Sequence, residues 1–233
     1  MKNKNNIILI FCILIIIILL IIGFKMRKDQ KETEHIINEY TISNNTSDEN
    51  TFISILRQEN PDTVGYIVVN GTNIDYPVVQ SNDNSYYLSH SFDKSEKFAG
   101  WVFLDYRNNL DTIDKNNIIY GHAMNNGTMF GSLKNVLTDE WLNNSANHII
   151  ELNTPNGLTK WQVFSVYYIP VTNDYLKVFF TSDEDFLSFE NMLINRSMKD
   201  FGLPASKDDK ILTLSTCKQH VQRIVVHAKL ISE

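Results

Sequence analysis

Cysteine is nearly absent: the 233 residues contain two, Cys12 and Cys217, and Cys12 lies inside an N-terminal apolar run. Whatever folds downstream holds a single thiol and can form no internal disulfide, so Cys217 is either incidental or chemical. Basic charge is also short. Lysine and arginine total 21 against 27 acidic residues, and five of the basic ones lie in residues 1–28, which hold no acid. The remaining chain carries a formal charge of −11, which argues against a nucleic-acid partner. Internal repeats, metal-ligand clusters, phosphate-binding glycine loops and cofactor motifs are lacking, so neither a metal nor a cofactor is expected.

Ile7 to Phe24 is a run of eighteen residues without a charge. It sits near the short end of what crosses a bilayer, about 20 residues. It is longer than the roughly 7–15-residue core of a cleaved signal peptide and no A-x-A-like site follows it. An uncleaved, single-pass transmembrane helix is expected within residues 1–28. Basic residues flank it on both sides (Lys2 and Lys4 before, Lys25, Arg27 and Lys28 after), so charge does not fix its orientation. Residues 29–60 read as a polar stalk followed by a short amphipathic helix over 48–58. Residues 61–233 are ample for one cored domain and too few for two.

From Gly65 the pattern turns to strands. Residues 66–69 and 74–79 flank an Asn70-Gly71 turn signal. Further strand candidates are 101–104, 117–120, 148–152, 158–169, 211–216 and 223–231. Helices are predicted over 129–137 and 183–196, the second with Ser182 as N-cap and acids in its first turn. Mostly β with flanking helices (α+β), in a closed barrel of about eight strands, is the architecture this density of short strands predicts.

Cys217 ends the run Ile211-Leu-Thr-Leu-Ser-Thr-Cys217. Alternation places Thr213, Ser215 and Cys217 on one face and Leu212, Leu214 and Thr216 on the other. A thiol that shares its face with hydroxyls is unlike the usual apolar burial of a structural cysteine. Arg223 follows six residues later, and a nearby guanidinium favours the reactive thiolate. A thiol nucleophile needs a base. His35 falls in the stalk, and His90 and His148 occupy ordinary loop and strand-start positions. On position alone the base is open among His122, His220 and His227. His122 ends the strand-like Ile118-Ile-Tyr-Gly121, where a scaffold presents side chains to a loop.

Thr213-Leu-Ser-Thr-Cys217, Tyr120-Gly-His-Ala-Met124, Asn126-Gly-Thr-Met-Phe-Gly-Ser-Leu133 and Arg223-Ile-Val-Val-His-Ala-Lys-Leu230, in that spacing, resemble a class B sortase over roughly residues 50–233. The resemblance implies a sortase-type barrel in a cysteine transpeptidase of the cell surface, anchored in the cell membrane with its catalytic domain extracellular. It implies that Cys217 attacks a threonine carbonyl in a C-terminal sorting signal of surface proteins and forms a thioester. His122 would protonate the leaving amine and Arg223 would hold the substrate backbone and the oxyanion. Ser215, Tyr120 and Asn84 would line the substrate groove, with the 183–196 helix as a wall. The acceptor would be a peptidoglycan precursor or another amine. The Cys217–Arg223 connection is shorter than the family leads one to expect. Asn60-Pro-Asp-Thr63 looks like a sorting signal but reads as a proline turn. A cell-wall cysteine peptidase or amidase, and a non-enzymatic tethered binding module, are the alternatives.

Overall fold

The structure, a computed structural model, describes residues 49–217 and 222–232, together with helical positions scattered between 13 and 23. For residues 49–51, 217 and 232 it describes the backbone alone. The stalk with His35, the connection 218–221 with His220, and most of the apolar run lie outside the described residues. No helix among the described residues is long and apolar enough to cross a membrane. The chain divides into two compact units, Met1–Asn45 and Thr46–Glu233.

Helix α1 (Glu49–Glu59) follows the amphipathic pattern, burying Phe52, Ile53 and Leu56 on one side. It stops where Pro61 forces the preceding residue out of helical geometry. Asn60 is fully buried there: its amide donates to Tyr87 Oη and the Phe92 carbonyl, and its Oδ1 accepts from Asp62 N. The Asn60–Thr63 segment is therefore a side-chain-locked turn leading into β1.

Strands β1 (Thr63–Val69) and β2 (Ile74–Val79) pair antiparallel around residues 70–73. Gly71 takes φ +74°, and a Cβ there would sit 2.7 Å from Trp141 and Asn147, so glycine is required. β3 (Phe103–Leu104) is only two residues long; just before it the buried Trp101 turns its amide to the Tyr87 carbonyl, while the Val102 carbonyl accepts from Val79 N of β2. β4 (Asn116–His122), β5 (Ile149–Thr154), β6 (Gly157–Pro170), β7 (Ile211–Cys217) and β8 (Gln222–Ser232) complete the sheet. Its order is β1-β2-β3-β4-β7-β8-β6-β5, closed by the β1–β5 pair. Closure removes the free edges that an open sheet would expose. Eight strands in a closed barrel with few helices is the architecture the strand density predicts.

The expected helix over 129–137 is instead a 3-10 segment at Gly131–Leu137. Met129 sits at φ +51° and cannot start a helix. Helix α2 (Asp139–Asn143) is capped by Thr138, whose side chain accepts from Trp141 N. Helix α3 (Asp183–Arg196) has the expected Ser182 cap, with Oγ accepting from Asp185 N at 3.2 Å.

β7 is buried on both faces. Ile211 and Val225 join Phe164, Tyr167 and Tyr175 under Phe186, Phe189 and Leu193 of α3. Alternation puts Leu212 and Leu214 on the opposite face, and both are fully buried. The hydroxyl face of β7 is thus covered rather than wet: Thr213 and Ser215 are 0% and 1% exposed.

Candidate active site

Three strand ends meet at one rim of the barrel. β4 and β7 run parallel and in register from Asn116↔Ile211 to His122↔Cys217, which sets the last residue of each side by side. Neighbouring strands lie about 4.8 Å apart. On the other flank β7 pairs antiparallel with β8 through Ser215↔Val225. The paired stretch ends there; beyond it the Ile224 amide donates to Thr216 Oγ1 at 2.9 Å, and Arg223 lies two positions past the last paired residue of β8. Cys217 therefore lies beside the histidine position of β4, and Arg223 sits near the start of β8, the strand on its other flank.

The loop after His122 closes back on it. Met124 N and Phe130 N both donate to the His122 carbonyl, at 3.0 and 2.9 Å. Ala123 bridges Met129. Gly121 makes room for this: a Cβ there would meet the Phe130 ring at 2.7 Å. The imidazole is half-buried, with Nε2 2.9 Å from the Leu88 carbonyl. A carbonyl oxygen only accepts, so that nitrogen carries the proton in this arrangement and Nδ1 is the ring's basic position.

Arg223 Nη1 donates to the Thr172 carbonyl at 3.2 Å and to Tyr175 Oη at 3.1 Å. Tyr175 Oη in turn lies 2.9 Å from Ser215 Oγ. Arg223 and Ser215 thus share one buried phenol, supplied by an irregular segment between β6 and α3. Tyr120 and Asn84 meet elsewhere: Tyr120 Oη and Asn84 Nδ2 each donate to Asp105 Oδ2 at 2.9 Å. Their polar groups face a buried carboxylate that sequence reasoning did not single out. Burial alone would raise the Asp105 pKa, but the Arg107 guanidinium and the Tyr120 hydroxyl outweigh it and hold the carboxyl below its ordinary value.

The remaining described histidines have structural partners. His90 stacks on Tyr86 at 4.0 Å between ring centroids. His148 is buried against Trp141 and Phe201, with Nε2 3.1 Å from the Leu142 carbonyl. His227 is fully buried between Thr213 Oγ1 and Tyr167 Oη, both at 2.8 Å. Thr213 gives its one proton to Asn116 Oδ1 at 2.6 Å, so His227 donates from Nδ1 and accepts from Tyr167 at Nε2. Burial, with a contribution from the Arg196 charge, pushes the His227 pKa down to about 3. It is a neutral core histidine with both nitrogens occupied. Among the described residues no group of acids, histidines and cysteines is arranged to hold a metal ion.

The family model for the Sortase domain matches residues 67–231. A protein named Sortase B from Listeria monocytogenes serovar 1/2a (strain ATCC BAA-679 / EGD-e) is 35% identical over 184 residues, spanning 76% of this chain and 73% of its own. A Staphylococcus aureus sortase B–substrate complex superimposes with a TM-score of 0.81 at 30% identity, covering 89% of this chain and 99% of that one. A sortase B complexed with triglycine also gives a TM-score of 0.81 at 30% identity, covering 88% and 98%.

Proposed function

The chain belongs to the sortase family, in its sortase B group, and from that premise we propose that Cys217 is its nucleophile, His122 its general acid and base, and Arg223 its substrate and oxyanion clamp. Sortase B enzymes are cysteine transpeptidases acting on surface proteins, and this chain is one of them. The observation that supports the assignment is the register that sets His122 beside Cys217 on neighbouring strands, with Arg223 near the start of the strand flanking β7 on its other side.

In the proposed cycle the Cys217 thiolate attacks the carbonyl carbon of a threonine in the sorting signal. A C–S bond forms and the carbonyl electrons move onto oxygen, facing the Arg223 guanidinium. Collapse breaks the C–N bond, and the imidazolium of His122 gives its proton to the departing amine. The product is a thioester. An incoming amine then attacks that carbonyl, neutral His122 takes its proton, the C–S bond breaks and the thiolate returns. Ser215, Tyr120 and Asn84 are proposed to shape the groove, Ser215 through Tyr175 and the other two through Asp105. The 183–196 helix forms a wall. No metal or cofactor enters any step.

A substrate complex and a triglycine complex are known for the similar proteins, which supports a surface-protein donor and an amine acceptor here. The acceptor is proposed to be an amine of a peptidoglycan precursor. The run 7–24 is proposed as a single-pass anchor, residues 29–60 as stalk and packing helix, and 61–233 as the catalytic barrel outside the cell.

The test uses residues 29–233 with a library of threonine-containing sorting peptides, and adds triglycine or a stem-peptide amine once one is cleaved. Mass spectrometry is expected to show an acyl adduct on Cys217 and an amide product whose share over hydrolysis grows with the amine. Cys217→Ala is expected to fold normally and form neither. A bound amine gains an effective molarity reaching about 10⁵ M or more, which water lacks. Turnover by Cys217→Ala, or an adduct on another residue, overturns the assignment.

A further inference from the structure

The connection between β6 and α3 carries Tyr175, which touches both Arg223 and Ser215, yet residues 171–180 form neither strand nor helix. A segment without a backbone ladder must be placed by side chains. Arg196 grips Asp174 with both terminal nitrogens, at 3.0 and 2.5 Å. Asn116 Nδ2 donates to the Tyr175 and Lys177 carbonyls at 3.3 and 2.9 Å. Lys177 pairs with Asp185 of α3. A further tie comes from the loop after β3: Arg107 Nη2 donates to the Leu176 carbonyl at 3.2 Å.

Arg107 is itself fixed. Its Nε donates to Asp105 Oδ1 at 2.8 Å, its Nη2 to Oδ2 at 2.7 Å, and its backbone amide to Oδ1 at 3.0 Å. Asp105 is fully buried and also takes the Tyr120 hydroxyl and the Asn84 amide. A planar guanidinium is suited to this, since it binds a carboxylate edge-on with two nitrogens and still reaches a third acceptor. Asn84, Tyr120 and Leu176 are 21, 15 and 69 residues from the hub positions they contact. One carboxylate–guanidinium pair thus joins the 84 loop, β4 and the Tyr175 segment.

We propose that Asp105 and Arg107 are positioning residues for transpeptidation: they brace the Leu176 carbonyl and thereby hold the Tyr175 hydroxyl where it places Arg223 and Ser215. The proposal rests on the roles given above to Cys217 and Arg223. Neither Asp105 nor Arg107 touches the reacting atoms. Their effect on the reaction passes through Tyr175.

The experiment is a double-mutant cycle on residues 29–233, with the peptide that the wild-type domain cleaves fastest as probe. Arg107→Gln is expected to lower kcat/KM roughly ten- to hundredfold, as loss of one or two charge-assisted hydrogen bonds implies. Alkylation of Cys217 by iodoacetamide, a reagent too small to need the groove, is expected to slow only as far as a displaced Arg223 favours the thiolate less, and by less than kcat/KM falls. Combining Arg107→Gln with Tyr175→Phe is expected to cost no more than the worse single change, because both break one chain of contacts. Arg107→Lys keeps the charge beside Asp105 but not the fork. It is expected to be impaired in the same direction, and it replaces Arg107→Gln in the cycle should that variant not fold. Wild-type kcat/KM in a folded Arg107 variant, or losses that multiply in the double variant as independent effects do, overturns the brace. Peptide turnover by Cys217→Ala would instead overturn the reading beneath it.

Discussion

Lys229 offers the most demanding test of how α3 is held to the barrel. Its ammonium lies 2.6 Å from Glu190 Oε1 and 2.6 Å from Asp209 Oδ2, contacts the Pro204 carbonyl, and sits 5.1 Å over the Phe164 ring. The side chain of Glu190 is 0% exposed and that of Lys229 8%. Two carboxylates thus face one cation, in the middle of the helix proposed to wall the groove. Burial, reinforced by the neighbouring Asp209, pushes the Glu190 pKa up to about 7 in spite of Lys229. Lys229→Met preserves much of the stem's volume and removes the charge. Breaking a buried pair on one side costs about 3–5 kcal/mol. For a domain of this size each kcal/mol lowers Tm by roughly 2–4 °C, so a drop of ~6–20 °C is expected at pH 8. The sign with pH follows from linkage. Glu190 has a folded pKa above its unfolded one, so its contribution to stability is full below the unfolded value of 4.5 and is lost as pH rises through about 7. Protonated Glu190 needs no cation. The Tm deficit of Lys229→Met is therefore expected to shrink between pH 8 and pH 5.5, and Glu190→Gln in the same background is expected to restore most of it at pH 8. Thermal unfolding by circular dichroism reads all three. A deficit under 2 °C, or one equal at both pH values, refutes the account.

His122→Ala is expected to lose about 10²–10⁴-fold in kcat, the usual worth of a positioned general acid–base group. His227→Gln, whose parent is buried and already neutral, is expected instead to lower Tm; the paired kinetic and melting measurements separate the two histidines, and a reversal of the pattern would move the base to His227. Arg223→Lys keeps the charge and loses the fork that meets Thr172 and Tyr175. A strong fall in kcat/KM is expected in a peptide-cleavage assay, and near-normal activity would mean that only the positive field matters.

Periodicity was a good guide wherever an element is stabilised by its own buried face. The apolar spacing of α1, the Ser182 cap and early acids of α3, the Leu/Thr alternation of β7 and the Val/Ile-rich β8 all carry their fold locally. It failed at 129–137, where apolar residues at helical spacing are buried by a loop that begins with a left-handed Met129 and stays 3-10. Apolar spacing reports that a segment is buried, but the backbone it adopts depends on what it must wrap around. Here that is the His122 carbonyl, which takes two amides from the same loop. The strand expected over 101–104 is present but shortened to β3 at Phe103–Leu104, because the Trp101 amide donates to the Tyr87 carbonyl instead of to a neighbouring strand.

At the site, the residues named in advance are those that a strand period or a family motif marks. Alternation along β7 set Ser215 and Cys217 on one face, the resemblance singled out His122 and Arg223, and the β4–β7 register sets His122 beside Cys217. Asp105, Arg107 and Tyr175 follow no period. Each belongs to an irregular segment, and each acquires its meaning from a partner 15 to 69 residues away. A buried Asp-x-Arg pair in a loop looks in sequence like any surface Asp-x-Arg, and only burial converts it into a fixed charge pair whose oxygens and nitrogens must all be matched. The same distinction reverses the meaning of the β7 hydroxyls. Read as a string they mark a polar face. In the fold they are capped by Tyr175, Asn116 and His227, so the strand that ends at Cys217 is held by hydrogen bonds on the side facing α3 and by apolar packing on the other. Such two-sided fixation suits the role proposed for Cys217, whose neighbour on β4 must stay in register through both halves of a transfer.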